Sequence, residues 1–300
     1  MKKKARADFL IEQVASKSDS GHVLVGLTPN PKRYSEALVE GKRFYLDKYL
    51  RMLISEDEMV AQMKDVPMYH VSPTVGSIVA YGESRLGPVA TQLAGGQYCP
   101  PPEVARRHSR FGSEQEMSLA FLSVDICGST AYRRRDGKGF ERAYQIFLTE
   151  LGTLVGQFHG TILKTTGDGF IAYIDHPAFT RQCDLIVELG LSLIIFCTRT
   201  LNPTLKRYGL SPFSIRIGAD YGEASVRRIE IPHIGFVDVE VASDALNRAV
   251  KIEQTCKPNQ LRIGRELYEL LHVQWLERAE EVGFDASALG IEGYRVYCVR

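Results

Sequence analysis

The sequence predicts an α+β protein whose C-terminal part is built on a ferredoxin-like βαββαβ core. Three observations support this fold class. An apolar strand over 118–126 precedes an amphipathic helix over 140–158, whose apolar side chains recur on one face. Apolar residues on both sides of a Gly-Asp-Gly turn predict a β-hairpin over 161–174. An apolar helix over 182–207 and a strand over 214–219 then complete the βαββαβ order.

Further elements follow this core toward the C-terminus. We expect residues 223–229 to pair as a hairpin with the preceding strand. A helix over 244–254 is expected to begin at a capping residue, Ser243 or Asp244. Two apolar segments are expected to form closing strands, 261–263 and 294–299.

The N-terminal part carries weaker signals. Residues 1–35 are polar and predict no regular element. Apolar residues at helical spacing predict a helix within Ser35–Asp65 that ends before Pro67. Residues 68–98 contain many glycines and predict short strands and turns.

Three consecutive prolines at 100–102 mark a linker or a domain boundary. We therefore divide the chain into an N-terminal extension, 1–115, and a C-terminal domain, 116–300. Nothing in the extension resembles a sensor domain that we can name. We interpret it as a structural extension that packs on the C-terminal domain or on a partner.

Length and composition exclude several classes of protein. The 300 residues, 44% of them hydrophobic, suit one large domain or two small ones. A formal net charge of +1 gives no global field that would recruit nucleic acid or an acidic membrane.

The six cysteines form no CxxC pair and are interpreted as buried hydrophobic residues in a reducing compartment. The most apolar run, Leu185–Cys197, is shorter than the about 20 residues that span a bilayer. We expect a cytoplasmic protein without membrane insertion.

Two stretches place a carboxylate at the end of a strand. The strand over 118–126 ends near Asp125, and Asp168 lies at the tip of the 161–174 hairpin. Either pattern alone is most often a turn. Two carboxylates on adjacent strands, however, supply the hard oxygen ligands that Mg²⁺ or Mn²⁺ requires.

These stretches resemble the class III nucleotidyl cyclases, the adenylate and guanylate cyclase superfamily. That family carries Asp-Ile-x-Gly, Lys-Thr-x-Gly-Asp, Arg-Ile-Gly and Gly-Asp-x-Val-Asn-x-Ala-x-Arg blocks in this order. The resemblance covers the chain from about residue 118 to its C-terminus. The matching blocks are Val124–Thr130, Lys164–Asp168, Arg216–Gly218 and Ser243–Lys251.

The resemblance implies a metal-dependent reaction. Two divalent cations, Mn²⁺ or Mg²⁺, would be held by Asp125, Asp168 and the Ile126 carbonyl. They would lower the pKa of the ribose 3′-hydroxyl and neutralise the leaving pyrophosphate.

Phosphate oxygens of the nucleoside triphosphate are expected to meet backbone amides of Gly128, Ser129 and Thr130, which precede a helical segment. The run 133–135 of three arginines lies just beyond. One of them is a candidate for steering the triphosphate, but we interpret the run as a solvated basic patch.

The chain departs from the family pattern at Lys251 and at 288–290. Asn247 and Lys251 share a face of one helix. In the family, the asparagine orients the ribose, and an arginine at the second position stabilises the transition-state phosphate. Lys251 keeps the charge and loses the planar guanidinium. The family's late phosphate-binding lysine is missing at 288–290, and Arg216 and Arg295 are candidates to replace it.

Base selection is expected to depend on Lys164 and Glu240. In adenylate cyclases the matching lysine is paired with an aspartate or a threonine. A donor and a carboxylate can read adenine, and the same pair can read uracil or cytosine. The longer glutamate would leave a smaller pocket. This departure and the missing lysine resemble the bacterial pyrimidine cyclases of the Pycsar anti-phage systems.

The hypothesis is a homodimeric, metal-dependent uridylate or cytidylate cyclase. It would convert UTP, favoured over CTP, into a 3′,5′-cyclic nucleotide and pyrophosphate as a signal in antiviral defence. In the family dimer, the metal aspartates of one protomer face residues of the other, here Lys164, Glu240, Asn247 and Lys251. A downstream effector of the cyclic nucleotide is implied, and no motif identifies it. The alternatives are an adenylate cyclase and an inactive cyclase fold that binds nucleotide.

Overall fold

The computed structural model describes residues 6–17, 23–63, 75–102, 115–285, 287, 290 and 293–300. The chain forms two compact units. The smaller unit comprises Met1–Tyr69 and Glu269–Arg278, and the larger comprises His70–Tyr268 and Ala279–Arg300. The N-terminal segment is therefore completed by a segment from late in the chain.

The described residues of the smaller unit form two antiparallel sheets and two helices. In order, these elements are β1 (Phe9–Lys17), β2 (Val23–Pro29), β3 (Tyr34–Val39), β4 (Lys42–Asp47), β5 (Met52–Ser55), α1 (Glu56–Met63) and a short helix, Val273–Leu276. β1 and β2 pair as a hairpin, and β4 lies between β3 and β5.

A buried arginine joins the parts of the smaller unit. Arg33 is fully buried, and its guanidinium donates to Asp8 at 2.9 Å and to Asp47 at 2.7 Å. It also donates to the Leu271 carbonyl at 3.2 Å, while Asp8 accepts from the Val273 amide at 2.9 Å. The late segment is thus held by the same charged groups that fix the N-terminal strands.

The helix predicted within Ser35–Asp65 is wrong for most of its length, because β3, β4 and β5 occupy this region and only α1 is helical. Glu40 and Gly41, which connect β3 to β4, both have positive φ, at 52° and 76°. This is the geometry of a two-residue hairpin turn that matches the strand twist. The expectation of no regular element in 1–35 is also wrong, since β1 and β2 lie there.

The larger unit contains the predicted core. Its described elements are α2 (Ile78–Leu93), β6 (Gln115–Ile126), α3 (Ser129–Arg135), α4 (Gly137–Gln157), β7 (Thr161–Thr165), β8 (Gly169–Ile174), α5 (Phe179–Phe196), a π-helical turn (Cys197–Leu201), α6 (Asn202–Arg207), β9 (Ile215–Ile231), a 3₁₀ turn (Pro232–Ile234), β10 (Phe236–Ala242), α7 (Asp244–Gln254), β11 (Gln260–Gly264), α8 (Arg265–Tyr268), β12 (Ala279–Val282) and β13 (Val296–Val299).

One eight-stranded sheet organises these elements among the described residues. Its strand order is β12-β13-β11-β9-β6-β8-β7, and β10 pairs with β9. β6, α4, β7, β8, α5 and β9 follow one another in βαββαβ order, with β6 antiparallel to both β8 and β9. The predicted α+β, ferredoxin-like fold class is confirmed.

Both faces of the central strand β6 are covered by helices. Leu119 and Phe121 belong to an apolar cluster with Ala245 and Ala249 of α7. On the other face, Gly190 of α5 approaches the side chain of Leu122. Because side chains alternate along a strand, the odd-numbered positions of β6 face α7, and Asp125 continues that series.

The hairpin predicted between 214–219 and 223–229 is wrong, because β9 continues through both segments and pairs with β10 instead. Two glycines of β9 allow this strand to make a close contact with helix α7. A Cβ at Gly218 would lie 2.2 Å from the Ala249 carbonyl oxygen, and one at Gly222 would lie 2.9 Å from the Ala245 Cβ.

The prediction of short strands over 68–98 is also wrong in the described part, because helix α2 occupies Ile78–Leu93. Ser77 caps it by accepting from the Ala80 amide. Gly82 allows close packing, since a Cβ there would lie 2.2 Å from the Thr200 hydroxyl. α2 belongs to the larger unit, so the compact units do not coincide with the predicted division at residue 115.

Within the larger unit, a buried ion pair holds α2 against α4. Arg85 donates from Nε and Nη2 to the two carboxylate oxygens of Glu150, at 2.9 and 2.7 Å. Gln92 donates to the same carboxylate at 2.9 Å. Glu150 is fully buried, so these donors replace its hydration.

We expect Glu150→Ala to lower the free energy of unfolding by about 3–5 kcal/mol, because it leaves the Arg85 charge buried without its partner. Urea denaturation measures the loss. Gln145→Ala, at an exposed position of the same helix, is the matched control and should cost less than about 0.5 kcal/mol. Equal stability of the two variants would contradict this account of how α2 is held.

Candidate active site

The two aspartates predicted to bind metal lie side by side at one end of the central sheet. Asp125, near the end of β6, is paired in register with Gly169, the first residue of β8. Asp168 directly precedes Gly169. The two carboxylates therefore lie close together, one at the end of β6 and the other just before the start of β8.

Glycine is required on both sides of Asp168. A Cβ at Gly169 would lie 1.9 Å from the Val124 carbonyl oxygen, so any side chain there would separate the two strands. Gly167 has a φ of +88°, a conformation that disfavours other residues. The Gly-Asp-Gly sequence thus fixes both the turn and the distance between the strands.

Burial raises the pKa of the Asp125 carboxyl, and the negative charge of neighbouring Asp168 raises it further. Within the described ranges, no group of three or more His, Cys, Asp or Glu side chains is arranged to hold a metal ion. A pair of half-desolvated carboxylates nevertheless fits a hard cation, because the cation offsets their repulsion and takes its other ligands from carbonyl oxygens, water and phosphate.

An arginine links Asp125 to a buried glutamate. Arg216, opposite Asp125 in the β6–β9 register, places Nη2 at 2.7 Å from the Asp125 carboxylate and Nε at 2.6 Å from the Glu253 carboxylate. Ser123 donates to Glu253 at 3.4 Å. Burial, with the charge of Asp125 as a second cause, raises the pKa of Glu253 to about 7, although Arg216 opposes the shift.

The predicted phosphate-binding turn lies beside the hairpin tip. The Ser129 hydroxyl donates to the Asp168 carboxylate. Gly128 precedes α3 with a φ of +72°, and both Gly128 and Thr130 are exposed. Ile126, the last residue of β6, is buried next to Asp125. Ser129 therefore contacts Asp168 through its own side-chain hydroxyl.

The residues predicted to bind the nucleoside lie on three other elements. Lys164, Glu240 and Asn247 are exposed on β7, β10 and α7, and Lys251 is half-buried one turn after Asn247. These elements meet at one apolar cluster. Three chain neighbours of the predicted residues pack against it, namely Leu163, Val241 and Val250.

Comparison with protein families identifies the domain in which these residues lie. The model of the adenylate and guanylate cyclase catalytic domain matches residues 111–293, more than half of the chain. The chain belongs to this family. The match contains Asp125 and Asp168 and also Arg216 and Glu253.

Individual relatives of this chain are distant in sequence. A cytidylate cyclase from Staphylococcus aureus is 23% identical over 159 residues, which cover 52% of this chain and 38% of that relative's length. The adenylyl cyclase CyaB from P. aeruginosa has a TM-score of 0.54 at 19% identity, covering 63% of this chain and 96% of the other. A non-canonical dimeric guanylyl cyclase domain of the RhoGC fusion protein from Blastocladiella emersonii has a TM-score of 0.50 at 15% identity, covering 63% of this chain and 98% of the other.

These structural neighbours establish the cyclase fold. Within the described residues, no helix has the length and apolar character that a bilayer crossing needs. None of the six cysteines, all of which lie in the described ranges, forms a disulfide. Four of them are buried as predicted, whereas Cys99 is exposed and Cys127 is half-buried.

The structure separates Arg216 and Arg295, the two residues predicted to replace the family's late phosphate-binding lysine. Arg216 lies at the aspartate pair, with 31% of its side chain exposed. Arg295 lies 3.9 Å from Glu281, and both side chains are about half exposed. Residues 288 and 289, where the family has its late lysine, lie outside the described residues.

Sequence reasoning missed Glu253. The sequence did contain a signal for this residue, a charged side chain within the buried face of a helix. The buried residues of α7 are Ala245, Leu246, Ala249, Ile252 and Glu253. A carboxylate on such a stripe requires a buried partner. That partner is Arg216, the first residue of the Arg-Ile-Gly block.

Glu253 makes the stability of the protein depend on pH. Its pKa is raised in the folded protein to about 7, so between about pH 4.5 and 7 the folded chain holds a proton that the unfolded chain has released. The contribution of this group to stability is therefore present below pH 4.5 and is lost as the pH rises to 7. We expect Glu253→Gln to be stabilised relative to wild type at pH 7, by on the order of 2–3 kcal/mol.

Urea denaturation at pH 5 and pH 7, with a chelator present, measures this difference. Glu266→Gln, at a half-buried position on α8, is the control. Wild type and Glu253→Gln are expected to differ more at pH 7 than at pH 5. A difference that is the same at both pH values would contradict the assigned protonation.

Proposed function

We propose that this protein is a metal-dependent nucleotidyl cyclase that converts a pyrimidine nucleoside triphosphate into its 3′,5′-cyclic nucleotide and pyrophosphate. The observation that carries the proposal is the Asp125–Asp168 pair. The two carboxylates lie at adjacent strand ends, they repel each other, and they occupy the matched cyclase domain.

The residues around the pair have distinct proposed roles. Asp125, Asp168 and the carbonyl of Ile126 hold two Mn²⁺ or Mg²⁺ ions. When bound, these ions lower the pKa of the ribose 3′-hydroxyl and offset the charge of the pyrophosphate. Ser129 orients the Asp168 carboxylate through its hydroxyl, and Arg216 orients that of Asp125.

The ribose and phosphates are assigned to groups on two helices. Asn247, exposed on α7, orients the ribose, and Lys251 on the same face stabilises the reacting phosphate. Backbone amides of Gly128, Ser129 and Thr130 bind the phosphate oxygens at the start of α3. Lys251 is a point charge, so its contact with the phosphate is less directional than that of the family's arginine.

Lys164 and Glu240 are the proposed base-reading residues. Lys164 can donate to uracil O4 or cytosine N3, and Glu240 can accept from uracil N3–H or the cytosine amine. The similarity to a cytidylate cyclase supports a pyrimidine substrate. UTP and CTP are both compatible with this pair, with UTP our first expectation. An adenylate cyclase is the alternative, because adenylate cyclases use a lysine at the position of Lys164.

A homodimer is proposed to complete each site. Lys164, Glu240 and Asn247 are exposed, which leaves them available to the aspartate pair of a second copy. The related guanylyl cyclase domain is described as a non-canonical dimer, so it supports dimerisation among related domains and not this particular arrangement. We propose two equivalent sites per dimer, and a role for the cyclic nucleotide as a signal in antiviral defence.

Substrate choice can be tested with the full chain, Mn²⁺ and each of the four nucleoside triphosphates. We expect the cyclic pyrimidine nucleotide as the main product. Asp168→Asn should reduce turnover on the order of a thousandfold, because it removes one of two carboxylates that neutralise the reacting phosphates. Mass spectrometry of the products is the measurement.

The control is Glu116→Gln, which changes an exposed acidic residue at the opposite end of β6. It should keep wild-type turnover. Cyclic AMP as the sole product would overturn the pyrimidine assignment. Near-normal turnover by Asp168→Asn would overturn the metal assignment.

The shared site predicts complementation between two inactive variants. Asp168→Asn and Asn247→Ala should each be inactive as homodimers, whereas a heterodimer contains one site with both intact halves. The two variants are co-expressed with different tags, purified through both tags, and assayed with the preferred triphosphate. A doubly tagged heterodimer without activity would place the whole site within one chain.

A further inference from the structure

The structure separates the three consecutive arginines of α3. Arg135 donates to the Ser211 hydroxyl at 2.9 Å and lies 5.4 Å from the centre of the Tyr132 ring. Arg133 instead lies 4.4 Å from the centre of the Phe140 ring. The run 133–135 is therefore not one uniform basic patch, because its first and last members contact different elements.

Arg133 lies on the side of α3 that faces the aspartate pair. It follows Ser129 by four residues, and residues with this spacing share one face of a helix. Ser129 donates its hydroxyl to Asp168. The helix face that contacts Asp168 consequently carries Arg133 one turn, or about 5.4 Å, further along the axis.

Aromatic packing brings Arg133 and Asp168 to a common neighbour. The Phe140 ring stacks on that of Tyr144, with centroids 5.8 Å apart and planes at 7°. Burial raises the pKa of the Tyr144 phenol, the charge of Asp168 raises it further, and the charge of Arg133 lowers it. Both charges thus lie within electrostatic reach of one hydroxyl group.

The Arg133 guanidinium remains accessible to an anion. Its Nε lies 3.3 Å from the Glu141 carboxylate, with 46% of the Arg133 side chain and 64% of the Glu141 side chain exposed. An ion pair exposed to this extent contributes little net stability. A phosphate with a higher charge can therefore displace Glu141 at little cost.

We infer that Arg133 binds the terminal phosphates of the nucleoside triphosphate beside Asp168, and so supplies the cation that the family's late lysine supplies elsewhere. The assignment rests on the proposed nucleotidyl cyclase function and deepens it. A guanidinium can donate two parallel hydrogen bonds to phosphate oxygens. Because the terminal phosphates leave as pyrophosphate, Arg133 also binds that product.

Binding of inorganic pyrophosphate tests the assignment without requiring turnover. The full chain is titrated with pyrophosphate in the presence of Mn²⁺ by isothermal calorimetry. Arg133→Gln should weaken the affinity by about tenfold or more, the loss expected for hydrogen bonds between charged groups. Arg134→Gln, which removes the same charge from the next residue of α3, is the matched control and should leave the affinity unchanged.

Arg133→Lys provides a second variant that keeps the charge and the alkyl chain over Phe140 but lacks the planar guanidinium. It should lose less affinity than Arg133→Gln. The melting temperature of each variant shows whether it is folded. The inference is overturned if Arg133→Gln binds as tightly as wild type, if Arg134→Gln weakens binding equally, or if the wild type binds no pyrophosphate at millimolar concentration.

The two proposals can fail separately. A wild type that binds pyrophosphate and cyclises none of the four triphosphates would refute the proposed function, while the titration still decides the role of Arg133. Conversely, turnover without loss of pyrophosphate affinity in Arg133→Gln would refute the role of Arg133 alone.

Discussion

The repulsion between Asp125 and Asp168 is the constraint around which the larger unit is arranged. The glycine opposite Asp125 lets the two strands approach so closely that both carboxylates share one end of the sheet. Arg216 offsets part of this negative charge and is itself held by Glu253. The helix that carries Glu253 is the one that also presents Asn247 and Lys251, so the proposed metal-binding end of the sheet and the helix proposed to bind the nucleoside are connected through one ion pair.

Local patterns predicted this end of the sheet well. The positions of Asp125 and Asp168 depend on a strand end and on a tight turn with glycine at both sides, which short sequence motifs specify. The order β6-α4-β7-β8-α5-β9 follows from periodicity and from the family resemblance. Glu253 was missed because its importance depends on a tertiary partner, Arg216, that lies on a different element.

The errors occurred where one pattern is compatible with two structures. In the N-terminal part, the spacing of Tyr45 and Tyr49 suits a helix, but Tyr45 lies in β4 and the strand direction is set by the turn at Glu40 and Gly41. Glycines gave a second ambiguity. The glycines of 68–98 predicted turns, whereas Gly82 allows α2 to pack closely on its neighbour, as Gly222 does for β9 and α7. A sequence does not distinguish these uses of glycine, because the difference lies in what packs against it.

The discontinuous smaller unit has a consequence for biosynthesis. Arg33 and Asp8 hydrogen-bond to Leu271 and Val273, which the ribosome adds only after nearly the entire larger unit. At a typical 5–20 residues per second, the roughly 200 intervening residues take about 10 to 40 seconds to synthesise. During that interval the Arg33 guanidinium lacks the Leu271 carbonyl and Asp8 lacks the Val273 amide. The segment that contains Asp8 and Arg33 therefore acquires these native contacts only after the segment around Leu271 and Val273 has been synthesised.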